Sequence, residues 1–256
     1  MRAAHVAALA RRSTLAIVRQ PALVFPSIVF PLFFAALSNS SFGRATRLPG
    51  FPEVSSFLQF SLAGTVTQGV LFGSVTGAAA LATDIQDGFF DRLLASPTSR
   101  TGILFGRLAG GALFGAVQAA VFVAVLWPFG AEVRAGLPGF VVLVLAGMLV
   151  AYAVGALMSS VALRTGSAEA VQGSFPLLFI LLFLSSAFFP RETMSGVYRT
   201  IADLNPVSHM VEGQRALAVD GWSLSAAARA LLVPAALGAV GTALALATLR
   251  RRLRAS

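Results

Sequence analysis

The sequence contains no cysteine and no lysine, and each absence excludes a class of chemistry. Without cysteine the chain has no disulfides, no thiolate metal sites and no cysteine nucleophile. Without lysine it cannot form the lysine-dependent P-loop that binds ATP. If ATP drives its activity, another polypeptide must therefore bind the nucleotide.

Charged residues are also scarce. They make up 11% of the 256 residues, against about 25% in an average soluble domain. Hydrophobic residues make up 57%, which is more apolar surface than a soluble globule of this size could bury. We therefore predict an all-α membrane protein, because no alternating barrel-strand pattern appears and a helix satisfies its own backbone in lipid.

Six stretches lack Asp, Glu, Lys, Arg and His, and each reaches the roughly 20 residues that a spanning helix needs. They are Gln20–Gly43, Val54–Thr83, Leu108–Ala131, Ala135–Leu163, Ala170–Pro190 and Ala230–Leu249. We predict a six-helix transmembrane domain over residues 20–249. All acids and histidines lie outside these windows, which counts against a proton-coupled transporter.

The arginines predict the orientation of these spans. An even number of spans places both termini on one side of the membrane. Arg250–Arg252 directly follow the last window, and the segments on that side carry most of the arginines. Because positive residues mark the cytoplasmic side, both termini and the basic tail, residues 250–256, are predicted to be cytoplasmic.

Residues 1–19 have a helical periodicity of their own. Val6, Leu9 and Ile17 fall on one face of a helix, opposite Arg11 and Arg12. This pattern favours an amphipathic helix lying along the inner membrane interface. The alternative is a frayed N-terminus that is merely basic.

The loop between the second and third windows is short, charged and rich in aromatics. Phe89, Phe90, Leu93 and Leu94 can form an apolar stripe beside the charged residues. Such a helix can dock into a groove on a partner protein. It can equally be a connector whose aromatics anchor at the interface, and the pattern alone does not decide between these readings.

Within the second and third windows, small and uncharged polar residues recur. Gly69, Gly73 and Gly77 permit close helix packing, which could include contact between two copies of the chain. Uncharged polar side chains at this depth usually bond to a neighbouring helix. A minority line a pathway, and the candidates here are Ser61, Thr65, Gln68, Thr76 and Gln118.

The segment between the last two windows, residues 191–229, is long and apolar enough to form short helices in the outer leaflet. Asn205, followed by proline, predicts a helix start. His209, Glu212 and Arg215 recur every three residues and can share a helix face. We predict a structural polar cluster, because two histidines in the whole chain make a metal site improbable.

Two blocks of sequence carry a family resemblance. The first is Asp84-Ile85-Gln86-Asp87-Gly88, with Asp91-Arg92-Leu93, Ser96-Pro97 and Gly106-Arg107 after it. The second is Ser185-Ser186-Ala187-Phe188-Phe189-Pro190, followed by Asn205-Pro206-Val207-Ser208 and Glu212-x-x-Arg215. In this order and placement they resemble ABC-2-type permeases, more narrowly those of daunorubicin-resistance-type exporters.

The resemblance implies a coupling helix between spans two and three, seated in a cleft of a separate ATP-binding subunit. Asp84, Asp87, Asp91 and Arg92 would contact that subunit, and Phe89, Phe90 and Leu93 would supply the apolar anchor. The N-terminal helix would be the family's interfacial connecting helix. ATP and Mg would bind the partner, and this chain would hold no cofactor or metal.

The resemblance further implies the function of the whole chain. It would be a multi-pass permease subunit of a bacterial cell membrane, working as a dimer of identical or paralogous chains and binding no nucleic acid. It would export an amphipathic drug-like or lipid-like substrate. The alternative from another class is an ATP-independent secondary transporter or channel. An intramembrane enzyme is least favoured, because no HExxH or GxSxG motif is present.

Overall fold

The computed structural model describes residue 14 and residues 21–47, 49–94 and 99–255. Helices joined by turns make up the regular structure of these residues, which confirms the all-α prediction for them. They are α1 (Pro21–Phe42), α2 (Phe57–Gln86), α3 (Phe89–Leu94), α4 (Arg100–Leu126), α5 (Gly136–Thr165), α6 (Ala168–Gln172), α7 (Phe175–Phe183), α8 (Gly196–Leu204), α9 (Pro206–Val219) and α10 (Leu224–Ala255).

Five of the six predicted windows form helices that are long and apolar enough to cross a membrane, namely α1, α2, α4, α5 and α10. Their ends differ from the predicted ones. Helix α4 begins at Arg100 because the Ser99 hydroxyl accepts a hydrogen bond from the Gly102 amide at 3.2 Å and caps the helix. Helix α10 continues to Ala255, so the predicted basic tail forms its last turns.

The fifth window, Ala170–Pro190, does not form one continuous helix. It divides into α6 and α7 at Gly173 and Ser174, and Pro176 occupies the first turn of α7. Together the apolar stretch Ala168–Phe183 rises only about 24 Å at 1.5 Å per residue, against about 30 Å of hydrocarbon. Among the described residues, the fifth predicted window therefore does not form one helix long enough to span the membrane.

Helix α2 occupies the centre of the fold. Within its apolar window 89% of residues are buried, against 22% for α1 and 28% for α10. It contacts α1, α4, α5 and α9. The polar side chains of α2 between Gln59 and Thr76 are therefore buried within the chain rather than facing lipid.

The predicted amphipathic helix at residues 1–19 lies outside the described residues, with the exception of Thr14. Thr14 is helical, and its hydroxyl donates a hydrogen bond to the Gly110 carbonyl of α4 at 3.2 Å. Thr14 therefore contacts the first half of α4.

Candidate coupling segment and substrate pathway

The loop that the sequence singled out is built as a turn and a short helix after the end of α2. The Asp87 amide donates to the Thr83 carbonyl at 2.9 Å, and the Gly88 amide donates to the Ile85 carbonyl at 3.2 Å. Gly88 has a φ of 66°, a left-handed conformation that glycine adopts without steric cost. Helix α3 therefore begins directly after a turn that ends at Gly88.

The seven residues predicted to contact an ATPase do not share one exposed surface. Asp87, Asp91 and Arg92 are exposed, and the Arg92 guanidinium lies 5.8 Å from the centre of the Phe89 ring. Phe89 and Leu93 are half-buried. The exposed side of this segment is therefore formed by Asp87, Asp91 and Arg92.

The other two residues point into the chain itself. Phe90 is 2% exposed and belongs to the hydrophobic core, so its predicted role as an anchor on a partner does not fit its position. Asp84 forms an ion pair with Arg107, which joins the end of α2 to the start of α4. Its carboxylate therefore has a partner within the chain.

All five predicted pathway residues are buried. The hydroxyl of Thr65 donates to the Ser61 carbonyl of its own helix at 3.0 Å, which is the structural role expected of most such side chains. The Gln118 amide nitrogen donates to the Ser27 hydroxyl at 3.1 Å, and so connects α4 to α1. Neither amide atom of Gln68 has a hydrogen-bond partner among the described residues.

Of these five residues, Thr76 lines a cavity of about 510 Å³. The cavity lies between α1, α2, α6 and α7, and aromatic rings form much of its wall. Phe72 is the centre of this aromatic group, with ring centroids 4.6 Å from Phe175 and 6.0 Å from Phe30. Gln172 and Ser27 add polar groups to the lining. The cavity is therefore mostly apolar, with a few groups able to hydrogen-bond.

Sequence reasoning missed these aromatic residues because it searched the spans for polar side chains. A usable signal was present, since Phe175, Phe179 and Phe183 recur every four residues and share one face of a helix. The rings of Phe179 and Phe183 stack at 4.4 Å. This spacing could thus have predicted a row of phenylalanine side chains that lines a cavity.

The glycines of α2 serve packing within the chain. A Cβ atom at Gly69 would overlap the Phe122 ring, and one at Gly73 would overlap the Gln118 amide, both on α4. Gly77 is half-buried further along the same helix. At Gly69 and Gly73 the close neighbour is therefore α4 of the same chain, and contact of this series with a second copy stays a prediction.

Arg215, in α9, is the most deeply embedded charge of the outer segment, at 7% exposure. Its guanidinium donates to the carbonyl oxygens of Phe60 (3.1 Å), Ser186 (2.6 Å) and Ala187 (2.9 Å). It also lies 3.9 Å from the centre of the Phe60 ring. Burial lowers the pKa of Arg215 to about 10, opposed by the Glu212 and Glu192 carboxylates, so the group stays charged at neutral pH.

The other members of the predicted polar cluster have separate partners. Glu212 forms an ion pair with Arg191, which also lies 3.1 Å from Asp203. The His209 ring lies 2.8 Å from the Asp203 carbonyl oxygen. Asn205 caps α9 by accepting from the Val207 amide, and its amide nitrogen donates to the Leu181 carbonyl at 2.6 Å. Each group therefore holds a different part of the outer segment.

Comparison with known proteins decides the family. A family model for ABC-2 type transporters matches residues 4–219. The chain belongs to the ABC-2 type transporter family. It is thus a multi-pass membrane protein of an ABC transporter, a family that implies an ATPase partner.

Three relatives of this ABC-2 type chain show how far the similarity extends. It is 31% identical over 209 residues to the daunorubicin resistance ABC transporter permease protein DrrB1 of Streptomyces coeruleorubidus, covering 80% of this chain and 72% of that protein. It is 28% identical to the putative transport permease ycf38 of Porphyra purpurea, with coverages of 82% and 72%. It is 24% identical to the probable doxorubicin resistance ABC transporter permease protein DrrC of Mycobacterium tuberculosis, with coverages of 79% and 72%.

Proposed function

We propose that this chain is the permease subunit of an ATP-driven exporter of amphipathic molecules. The observation that carries the proposal is the cavity lined by Phe72, Phe175 and Thr76. Its volume lies within the range of about 300–1,000 Å³ that is usual for small-molecule sites, and such sites combine apolar walls with a few polar groups. The relatives DrrB1 and DrrC are named for resistance to daunorubicin and doxorubicin, which supports export of a drug-like molecule.

ATP and Mg would bind a separate subunit, and α3 would transmit its movement. The absence of lysine supports a separate ATPase, because a P-loop needs that residue. The docking face would consist of Asp87, Asp91 and Arg92 with the half-buried Phe89 beside them. Gly88 sets the direction of this face relative to α2.

We propose that the chain crosses the membrane six times with both termini in the cytoplasm. The fifth pass would consist of α6, α7 and the turns that follow, held at their outer end by Arg215. A second copy or a paralogue would pair beside the cavity. The apolar outer face of α1, with Phe25 and Phe33 at least 60% exposed, supports such a surface.

The cavity is tested by narrowing it. Thr76→Phe would place a ring in a space lined by Phe72 and Phe175, and should reduce daunorubicin-stimulated ATP hydrolysis and efflux in membranes containing the ATPase. The matched control is Thr200→Phe on α8, an exposed threonine that lies outside this cavity. Equal transport by both variants would place the substrate elsewhere.

The coupling face is tested by charge reversal. Arg92→Glu adds an anion beside Asp91, and truncating one partner of a buried charge contact costs about 2–5 kcal/mol. We expect a loss of roughly 30-fold or more in affinity for the ATPase, measured by pull-down. Arg199→Glu in α8 is the control, because Arg199 is also exposed but belongs to the outer segment.

The orientation is tested by labelling introduced cysteines on intact cells, which is straightforward in a chain without native cysteine. Ser195→Cys lies just before α8 and should react with an impermeant thiol reagent. Ser99 caps α4 on the side proposed to be cytoplasmic, so a cysteine at this position (Ser99→Cys) should not react. The opposite pattern of labelling would reverse the proposed topology.

A further inference from the structure

The C-terminal ends of α5 and α10 separate to leave a recess of about 1,100 Å³, with α3 at its side. This recess is distinct from the aromatic cavity and shares no lining residue with it. Three arginines, Arg164, Arg251 and Arg252, surround it together with one acid, Asp91. Its charged lining is therefore predominantly positive.

The three arginines are not equivalent. Arg252 donates to the Leu163 carbonyl near the end of α5 at 3.3 Å, so it already serves the helix terminus. Arg164 and Arg251 are exposed, and neither forms an ion pair with another described residue. Arg164 and Arg251 thus line the same recess from neighbouring helices, and guanidinium matches the geometry of a phosphate group.

The floor of the recess is apolar and leads onto the outer surface of α10. Val161, Leu244 and Ala247 contribute to the lining. Leu244 is 48% exposed, and Val240, one turn earlier on α10, is 56% exposed. An occupant that fits both parts has an anionic head and a hydrocarbon chain.

We propose that this recess binds an anionic phospholipid, with its phosphate between Arg164 and Arg251 and an acyl chain along Leu244 and Val240. Basic pockets between the ends of membrane helices bind anionic lipid headgroups. A protein partner is less suited, because the floor continues onto a face of a spanning helix that meets lipid. The site depends on membrane insertion of α5 and α10. Asp91, at its side, also belongs to the proposed docking face, so lipid binding is tested on this chain without the ATPase.

The test is lipid binding by the purified full-length chain in neutral detergent, measured by native mass spectrometry and by titration with fluorescent phosphatidylglycerol. Wild-type protein should bind phosphatidylglycerol in preference to phosphatidylcholine. Arg164→Gln with Arg251→Gln should weaken phosphatidylglycerol binding by about 30-fold, as expected for two surface arginines. Arg250→Gln with Arg254→Gln removes the same charge outside the recess and should change binding by less than about threefold.

Two further arms separate the possible occupants. Ala247→Trp fills the apolar floor and should abolish phosphatidylglycerol binding while all arginines remain. Inorganic phosphate should not compete with the lipid, because it has no chain to bury. Melting temperature confirms that each variant is folded.

Three results would overturn the proposal. Equal loss in both double variants would mean that only the net charge of the tail matters. Equal affinity for inorganic phosphate and phosphatidylglycerol would indicate a site for a soluble anion. If Arg164→Gln with Arg251→Gln abolished pull-down of the ATPase and left lipid binding unchanged, the recess would be a protein contact instead.

Discussion

Replacing Arg215 provides the strictest test of the outer part of the fold. Arg215→Met keeps the length of the side chain but removes every donor to the Phe60, Ser186 and Ala187 carbonyls. The Ser186 and Ala187 carbonyls lie in the turns that follow α7, beyond the last residue of that helix. These two carbonyls therefore rely on Arg215 as a donor more than the Phe60 carbonyl does, because Phe60 belongs to the regular helix α2.

The size of the effect follows from these contacts. A buried carbonyl that loses its donor costs about 1–3 kcal/mol, so the two carbonyls outside a regular helix, those of Ser186 and Ala187, together cost about 2–6 kcal/mol. For a chain of this size, 1 kcal/mol shifts the melting temperature by about 2–4 °C. We expect Arg215→Met to lower the melting temperature by about 10 °C. The melting temperature of Arg215→Lys should lie between those of the wild type and Arg215→Met, because one ammonium group cannot make all the hydrogen bonds of a guanidinium group.

The assay is thermal unfolding in detergent, followed by size-exclusion chromatography with fluorescence detection. Arg199→Met is the matched control, since Arg199 is exposed and the same charge is removed. Burying an arginine has a desolvation cost, so an apolar replacement can be neutral when the freed carbonyls find other donors. A difference of less than about 2 °C between the two methionine variants would refute the structural role of Arg215.

Three further predictions concern the core and the coupling segment. Gly64→Ala should reduce folded yield, because its Cβ would overlap the Ala187 carbonyl, whereas Gly111→Ala meets open space and should be tolerated; membrane yield by fluorescence chromatography distinguishes them. A double-mutant cycle of Asp84→Asn and Arg107→Gln should be non-additive by about 0.5–3 kcal/mol in thermal unfolding, since the two side chains are paired. Phe90→Ala should destabilise the chain by about 3–5 kcal/mol without weakening ATPase pull-down by the remaining folded fraction, because the ring lies in the core.

For each of these three, one result would contradict the reasoning. Equal yields of the two glycine variants would show that α2 can move away from Ala187. Additive losses in the cycle would mean that Asp84 and Arg107 act independently. Loss of pull-down by folded Phe90→Ala protein would restore the original prediction that this ring touches the partner.

The spans could be predicted from the sequence because lipid demands long uncharged helices, and that demand is visible as charge-free windows. The break in the fifth window was missed because uncharged residues alone were sought. Gly173, Ser174 and Pro176 carry no charge but favour a turn followed by a new helix start. Reading helix-breaking residues inside the windows would have found this break.

The candidate sites were less predictable, because they depend on the direction in which each side chain points. His209, Glu212 and Arg215 recur every three residues, but a helix turns by 3.6 residues, so each step rotates the face. Arg215 consequently points inward while Glu212 reaches Arg191. Phe90 likewise follows Phe89 in sequence, yet one residue further around α3 places its ring in the core.

The enclosed position of α2 has a mechanical consequence. The helix is 30 residues long, which corresponds to a rod of about 45 Å. Gly64 lies against Ala187, and Gly69 and Gly73 lie against α4, so turning the rod about its own axis would replace these close approaches with larger side chains. We therefore expect a push delivered at its Asp84 end to be transmitted as tilt or translation, and Ser56, which caps the far end and bonds to Gly130 at 2.9 Å, to move with it.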